Sequence, residues 1–218
     1  FDAIYSGFLG SVQQIDSVRN IFSMLSDKDT LRFVDPVMGD NGRLYSCYSA
    51  EMAEKMRGLV ECADVIVPNL TEAALLLGEE PVLKPTEEQT EQLLRRLGGL
   101  GPRLTVLTGI CRGGRIGAAV YDRDQNRIGY ALADSVEGSF HGTGDLFAAV
   151  MLAALLRGES PQTAAETAAG FVSRAIRATR RAGTDPRFGV RFEPLLPELM
   201  RMLGIVPCGR PDFETGVN

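Results

Sequence analysis

The chain has 218 residues, of which 44% are hydrophobic, and this is enough apolar material for the core of one large domain. Its formal net charge is -5, which argues against binding to nucleic acid through a basic face, because such binding requires Lys and Arg to replace phosphate counterions. An anionic ligand would therefore be held locally, by backbone N–H groups, helix N-termini or a divalent metal.

Four cysteines are scattered along the chain, at Cys47, Cys62, Cys111 and Cys208, and they form no CxxC pair. This spacing predicts neither a zinc site nor a disulfide framework and favours reduced thiols in the cytoplasm. No basic-then-apolar signal segment opens the chain, and no apolar run approaches the ~20 residues that a membrane helix needs. We therefore expect a cytoplasmic protein without membrane contact.

Short apolar segments alternate with amphipathic ones through the first half of the chain. Residues 1–5 are typical of a strand that is already under way, without an initiator Met, so we expect the N-terminal part of the domain to be missing. Ser11 is the predicted N-cap of the first helix, and Gly78 is the predicted end of the third. Further strands are predicted at 31–34, 65–67 and 104–107, and helices at about 12–25, 49–60, 70–77 and 87–97.

The second half begins with two alternating segments between residues 116 and 132, which predict an antiparallel hairpin around residues 122–126. Helices are predicted at about 143–156, 161–180 and 194–203. Beyond Ile205 the sequence has no periodicity, so residues 205–218 are predicted to be an irregular tail. Together the elements predict a single α/β domain over residues 1–218, with a mostly parallel sheet and helices on both faces.

The strongest motif is Gly142-Thr143-Gly144-Asp145, which opens an apolar helix. Its two glycines allow a tight turn, so that backbone N–H groups at the helix N-terminus can converge on an anion. Asp145 then lies in the first helical turn, where a general base for an attacking hydroxyl would be needed. A glycine-rich turn with an acidic helix cap would give the same pattern.

Polar residues also follow three predicted strands. Asp35 begins the segment Asp-Pro-Val-Met-Gly-Asp after one strand, Asn69 and Glu72 follow the next, and Thr108 follows a third. Ligands of open α/β sheets collect at the carboxyl ends of the strands, where acidic groups can hold a metal or its waters. A turn at Asp35, and helix capping by Asn69 and Glu72, are the competing explanations.

These segments together resemble the ribokinase superfamily, and specifically its pyridoxal kinase branch. The resemblance depends on Asp35 to Asp40, Pro68 to Ala73 and Gly142 to Asp145, and residues 5–11 and 42–45 are similar to segments of the same branch. It covers most of residues 1 to about 180. It implies a ribokinase-like three-layer fold.

The resemblance implies ATP-dependent transfer of phosphate to the 5'-hydroxymethyl of pyridoxal, pyridoxine or pyridoxamine, as in salvage of pyridoxal 5'-phosphate. Asp145 would be the base that contacts the substrate alcohol. The remaining implied roles are an anion hole at Gly142, Thr143 and Gly144, Mg²⁺ and its waters at Asp35 and Glu72, and nucleotide phosphate contacts at Asn69 and Thr108. Positioning and charge neutralisation of this kind are what phosphoryl transfer mainly requires.

The resemblance has limits. Roughly the first third of such kinases, which contacts the vitamin ring, has no counterpart here, so substrate contacts other than Asp145 are not assigned. His141 is interpreted as a loop residue near the nucleotide rather than an acid. Homodimers are usual in this branch, and a monovalent cation requirement stays open. A hydroxymethylpyrimidine kinase and a catalytically silent nucleotide-binding relative are the alternatives.

Overall fold

The computed structural model describes residues 1–138 and 140–205 and contains eight strands within them. The strands are β1 (Ala3–Ser6), β2 (Leu31–Val34), β3 (Gly39–Asp40), β4 (Arg43–Leu44), β5 (Val65–Ile66), β6 (Leu104–Arg112), β7 (Arg115–Asp122) and β8 (Arg127–Asp134). The α-helices are α1 (Val12–Leu25), α2 (Ala50–Val60), α3 (Leu70–Leu77), α4 (Glu87–Gly98), α5 (Thr143–Leu156), α6 (Pro161–Ala182) and α7 (Leu196–Met202).

Six of the strands form one sheet in the order β1-β2-β5-β6-β7-β8. The first four run parallel, and β7 and β8 are added as an antiparallel hairpin on β6. The carboxyl ends of the parallel strands therefore lie along one edge. The mostly parallel α/β sheet and the hairpin that the sequence predicts are both confirmed.

Helices cover both faces of this sheet. Helices α1 to α4 pack on one face, over a core that includes Ile15, Phe22, Met56, Leu76 and Leu94. Helices α5, α6 and α7 pack on the other, over a core that includes Phe33, Phe147, Met151, Phe171 and Leu203. Helix α6 meets the second core mainly through alanines, at 164, 165, 168 and 169, and these small side chains let its backbone approach the sheet closely.

Local sequence signals account for several helix ends. The side chain of Ser11 accepts a hydrogen bond from the backbone N–H of Gln14 at 3.2 Å, so it caps α1 as the sequence predicts. Gly78 ends α3 in the left-handed conformation, with φ of 70°. This is the terminator that a glycine at that position predicts.

Other elements differ from the sequence-based expectation. Strand β6 does not end at Thr108 but continues to Arg112, because a bulge between Thr108 and Ile110 lets it pair with β7 along its whole length. Residues 39–44 form a short hairpin, β3–β4, which the sequence analysis did not assign. Asn41 and Gly42 have φ of 51° and 76°, the left-handed values that such a hairpin needs.

The C-terminal helix also differs. A 3₁₀ turn occupies Glu193–Leu195, and α7 begins only at Leu196 rather than at Pro194. The irregular tail was predicted for residues 205–218. Apart from Ile205, these residues lie outside the described part of the chain. Within the described residues, no helix is both long and apolar enough to span a bilayer.

The second core predicts a large stability difference between two phenylalanines. Phe171 is fully buried, whereas Phe188 is 84% exposed. Truncation of a buried Phe to Ala removes its packing and leaves a cavity, so Phe171→Ala should lower the free energy of unfolding by about 3 to 5 kcal/mol. Phe188→Ala should change it by less than about 0.5 kcal/mol. Urea denaturation of the two variants and the wild type measures both values, and equal losses would contradict the assigned core.

Candidate active site

The carboxyl edge of the parallel strands brings together residues from three loops. The backbone N–H of Asp35 donates to the carbonyl of Ser6 at 2.8 Å, which places Asp35 beside the end of β1. The N–H of Thr108 donates to the carbonyl of Pro68 at 2.9 Å, and Asn69 forms an isolated parallel bridge with Thr108. Asp35, Asn69 and Thr108 therefore lie along one edge of the sheet.

Helix α5 begins with unpaired backbone N–H groups. Gly142 is its N-cap, with φ of 76°, a left-handed value that disfavours any side chain. The first intrahelical hydrogen bond runs from Leu146 N–H to the Gly142 carbonyl at 3.0 Å, so the N–H groups of Thr143, Gly144 and Asp145 have no acceptor within the helix. A Cβ built on Gly142 or Gly144 would meet no described atom within 4 Å. The start of α5 is therefore an open site suited to an anion.

Asp35 and Asp145 are close enough to repel one another. Asp35 is buried, with 6% of its surface exposed, and Asp145 is exposed at the start of α5. Burial, followed by the negative charge of Asp145, raises the pKa of Asp35 to about 7, and the neighbouring Tyr5 hydroxyl partly opposes this rise. The carboxyl after β2 and the carboxyl at the start of α5 therefore belong to one acidic site.

Glu72 is the third acidic group and is 3% exposed. Its carboxylate accepts hydrogen bonds from the backbone N–H groups of Asn69 at 2.8 Å and Met38 at 3.2 Å. Burial is the largest cause that raises the pKa of Glu72 to about 8; the charge of Asp35 adds to the rise, and the backbone hydrogen bonds oppose it. Glu72 thus joins the loop after β2 to the segment between β5 and α3.

Asn69 has its polar atoms occupied. Its Oδ1 accepts from the N–H groups of Thr71 and Glu72, at 2.8 and 3.0 Å, and its Nδ2 donates to the carbonyl of Gly39 at 2.9 Å. Asn69 and Glu72 form a reciprocal capping box at the start of α3. The capping explanation of this motif is therefore present in the structure, and any phosphate contact by Asn69 would compete with these bonds.

Two further predicted residues lie at the rim of the site. The hydroxyl of Thr108 donates a long hydrogen bond, 3.4 Å, to the carbonyl of Pro68, so little holds it against a better acceptor. His141 is exposed and lies in the loop immediately before α5.

Magnesium fits this site only in a hydrated form. Within the described residues, no group of three His, Cys, Asp or Glu side chains is close enough to hold a metal ion. Burial, and to a lesser extent repulsion between the carboxyls, raises the pKa of Asp35 and of Glu72, and a nearby divalent cation would offset both effects. Mg²⁺ commonly keeps several waters and binds through one or two carboxylates and substrate phosphates. Asp35 and Glu72 are therefore suited to contact its waters rather than to enclose it.

Sequence reasoning did not assign a role to Tyr5. This residue is in β1, paired in register with Phe33, two residues before Asp35. Burial, followed by the negative charges of Asp35 and Asp145, raises the pKa of Tyr5. The sequence signal that could have placed Tyr5 is the alternation of side chains along a strand. Phe33 is the register partner of Tyr5, and Asp35, two residues after Phe33, lies on the same face as both.

Residues 1–188 match the family model of phosphomethylpyrimidine kinase. The chain therefore belongs to this family, within the ribokinase-like superfamily. The resemblance that the motifs indicated is confirmed at this level.

Three relatives illustrate the similarity. A pyridoxal kinase of Arabidopsis thaliana is 31% identical over 198 residues, which cover 84% of this chain and 62% of that protein. A putative phosphomethylpyrimidine kinase from Bacteroides thetaiotaomicron, crystallised with pyridoxal, is 36% identical with a TM-score of 0.85 and covers 96% of this chain and 72% of that one. Pyridoxal kinase from Leishmania donovani, in complex with ADP and ginkgotoxin, is 25% identical with a TM-score of 0.73, over 92% and 71% of the two chains.

These matches leave part of the relatives without a counterpart. The chain spans less than two thirds of the curated kinases it matches, 62% of the Arabidopsis protein and 65% of a bacterial pyridoxal kinase from Histophilus somni. The structural match to solved kinases establishes the fold, including helices on both faces of a mostly parallel sheet.

The buried carboxyls predict that stability falls as pH rises. The pKa of Asp35 is about 7 in the folded protein, above its ordinary 3.8, so the folded state binds this proton more tightly than the unfolded chain does. That contribution is complete below about pH 4 and is lost as pH rises through about 7. Asp35→Asn removes it, so this variant should be more stable than wild type at about pH 8, by roughly 1 kcal/mol or more.

Urea denaturation at about pH 5 and pH 8, with EDTA present, measures this change. The wild type should lose stability between the two pH values, and Asp35→Asn should lose less. Asp124→Asn, at an exposed turn position, is the matched control and should follow the wild type. Parallel pH dependence of wild type and Asp35→Asn would show that Asp35 has an ordinary affinity for its proton.

Proposed function

We propose that this chain catalyses ATP-dependent phosphorylation of a primary alcohol, the 5'-hydroxymethyl group of pyridoxal, pyridoxine or pyridoxamine. The observation that supports it most is the open N-terminus of α5 with Asp145 in its first turn, close enough to the buried Asp35 for the two charges to interact. The relatives that are pyridoxal kinases, and the related chain that was crystallised with pyridoxal, support the substrate class. The Leishmania kinase in complex with ADP supports the nucleotide.

In this proposal the start of α5 binds the transferred phosphate. The N–H groups of Thr143 and Gly144 donate to its oxygens, and the positive end of the helix dipole favours the negative charge. Gly142 allows the close approach, because no side chain stands in front of the turn. Thr108, across the edge of the sheet, supplies a hydroxyl to the nucleotide phosphates, and Asn69 is the weaker candidate because its amide already caps α3.

Asp145 is the general base in the proposed reaction. Its carboxylate accepts the proton of the substrate hydroxyl while the alcohol oxygen attacks the γ-phosphorus and the bond to the leaving ADP breaks. Asp35 and Glu72 would hold Mg²⁺ through its waters, and when bound this ion neutralises the charge of the phosphates. Glu72 also keeps the loop after Asp35 in place next to the start of α3, through its hydrogen bonds to the N–H groups of Met38 and Asn69.

A second function is favoured by the family match. The family model is that of phosphomethylpyrimidine kinase, so a hydroxymethylpyrimidine is the alternative acceptor, with the same roles for α5 and Asp145. A nucleotide-binding chain without turnover is the third candidate, since the chain spans less than two thirds of its curated relatives. A single domain over residues 1–218, a homodimer and a cytoplasmic location belong to the same proposal.

A substrate panel separates these candidates. ATP consumption by the full-length gene product should be stimulated by the three B6 vitamers, and less by hydroxymethylpyrimidine, in the presence of Mg²⁺. Stronger stimulation by the pyrimidine would assign the alternative acceptor. ATP binding by calorimetry without stimulation by any of the four alcohols would assign a silent relative.

Asp145→Asn provides the sharpest test of the base. Loss of a positioned general base typically lowers the rate by about 10²- to 10⁴-fold, and kcat should fall by that amount. Affinity for ATP should be kept or increase slightly, because a negative charge close to the phosphates is removed. Asn has the size of Asp and suits a helix start, so the free energy of unfolding should change by no more than roughly 1 kcal/mol.

Steady-state kinetics and ATP binding in the same salt and Mg²⁺ give these values. The matched control is Asp134→Asn, at the end of β8, where the side chain pairs with Arg177 on the surface. Near-normal turnover of a folded Asp145→Asn variant would reject Asp145 as the base and would leave it a structural role at the start of α5.

A further inference from the structure

The start of α3 holds the β3–β4 hairpin through three side chains that lie within four residues of one another. Two of their hydrogen bonds are at the base of the hairpin, where β3 begins. The Nδ2 of Asn69 donates to the carbonyl of Gly39 at 2.9 Å, and the carboxylate of Glu72 accepts from the N–H of Met38 at 3.2 Å. The base of the hairpin is therefore bonded to residues that belong to the proposed site.

Thr71 makes the third hydrogen bond, at the tip of the hairpin. Its hydroxyl oxygen accepts from the backbone N–H of Gly42 at 2.9 Å, and Gly42 lies in the turn between β3 and β4. Thr71 is buried, and its own N–H donates to the side chain of Asn69 at 2.8 Å. The hydroxyl is thus an acceptor with a fixed position in α3, and Thr71 is not among the residues proposed to contact phosphate or Mg²⁺.

The bonds of Asn69 and Thr71 would respond differently to a bound nucleotide. In the proposed function the Asn69 amide contacts the nucleotide phosphates, but its Nδ2 already donates to the carbonyl of Gly39. A phosphate oxygen is charged and is a stronger acceptor than a carbonyl, so it would draw the amide away from the hairpin. The bond from Gly42 to Thr71 involves no such competition and would remain.

We propose that Thr71 is a positioning residue, which keeps the β3–β4 hairpin docked on α3 while the Asn69 amide contacts the nucleotide phosphates. This inference rests on the proposed kinase function. The hairpin directly follows the loop that begins at Asp35, so a hairpin that leaves α3 would also release the acidic edge from its reactive arrangement. Thr71 thus acts on the chemical step without touching a reactant.

Thr71→Val removes the hydroxyl and keeps the shape of the side chain. Without nucleotide, the bonds of Asn69 and Glu72 still hold the hairpin, so the affinity for ATP should stay within about 2-fold of wild type. With nucleotide bound, only the bond of Glu72 remains, and kcat should fall by about 3- to 10-fold, the effect of losing one hydrogen bond. Calorimetry and steady-state kinetics with Mg²⁺ measure the two values. Thr71→Ser keeps the hydroxyl and should restore wild-type kcat.

Hydrogen exchange of residues 39–44 gives a readout that does not need activity. The Thr71 hydroxyl protects the N–H of Gly42. With ATP and Mg²⁺ bound, exchange of this segment should therefore be about 3- to 10-fold faster in Thr71→Val than in wild type, and unchanged in Thr71→Ser. Thr71→Ala lacks the same oxygen and should behave as Thr71→Val, which keeps the test valid if valine packs poorly at this buried position.

Thr30→Val is the matched control. Thr30 is also buried, and its hydroxyl also accepts from a backbone N–H, that of Asp27 at 3.2 Å. It immediately precedes β2, at the amino end of the sheet, opposite the edge that carries the proposed site. This variant can lower Tm, but it should keep wild-type kcat and wild-type exchange of residues 39–44. An equal fall of kcat in Thr30→Val and Thr71→Val would show that lost stability, not positioning, lowers the rate.

A wild type that transfers no phosphate to any alcohol overturns the proposed function, and the positioning role of Thr71 is overturned with it. In an active protein, three results overturn the role of Thr71 alone: an unchanged kcat in Thr71→Val, unchanged exchange of residues 39–44, or a loss of ATP affinity in place of the fall in kcat. A lower kcat at constant ATP affinity, restored by Thr71→Ser and absent from Thr30→Val, supports it.

Discussion

The reciprocal hydrogen bonding of Asn69 and Glu72 is the constraint on which the site depends. Glu72 binds the backbone of Asn69 and of Met38, and Asn69 in turn binds the carbonyl of Gly39. Three pieces of chain are thereby joined, namely the end of β5, the start of α3 and the loop after β2. Without these bonds, the loop that begins at Asp35 would be tied to α3 chiefly by the bond from the Gly42 N–H to the Thr71 hydroxyl, and the acidic edge would lose its geometry.

Without bound ligands, the buried carboxyls of the acidic edge lower the free energy of unfolding. Asp35 and Glu72 are buried, their charges repel, and Asp145 adds a third charge at the rim. Burial of like charges is unfavourable unless a cation or a proton offsets it, which is why both pKa values are raised. In a kinase these negative charges would have a function, because they would attract a hydrated divalent ion together with nucleotide phosphates. The site is therefore expected to become more stable when ligands bind.

The phosphate-binding part and the acidic part of the proposed site are built from different kinds of groups. The proposed phosphate site is made of backbone N–H groups at the start of α5, which keep their charge distribution at any pH. The acidic groups are side chains whose protonation depends on their neighbours. Tyr5 lies beside this second set, since its ring packs against Phe33 and burial, followed by the charge of Asp35, raises the pKa of its hydroxyl. The charge of the anion site is thus independent of pH, whereas single substitutions can change the pKa values of the acidic groups.

Much of this arrangement was determined by the sequence itself. Alternating apolar segments, the cap at Ser11, the glycine at 78 and the motif from Gly142 to Asp145 depend on local periodicity and turn chemistry, and these act within a few residues. The strand ends that carry Asp35, Asn69 and Thr108 could be predicted to share an edge, because parallel strands align their carboxyl ends.

Tertiary structure alone decided the rest. The continuation of β6 past Thr108 depends on pairing with β7, which overrides the local signal of a glycine. The hydrogen bond from Asn69 to the carbonyl of Gly39, 30 residues earlier, and the packing of Tyr5 against Phe33 join residues that are distant in sequence. Raised pKa values likewise arise only when folding buries carboxyls together, since desolvation and charge repulsion depend on distances in space and not on order along the chain.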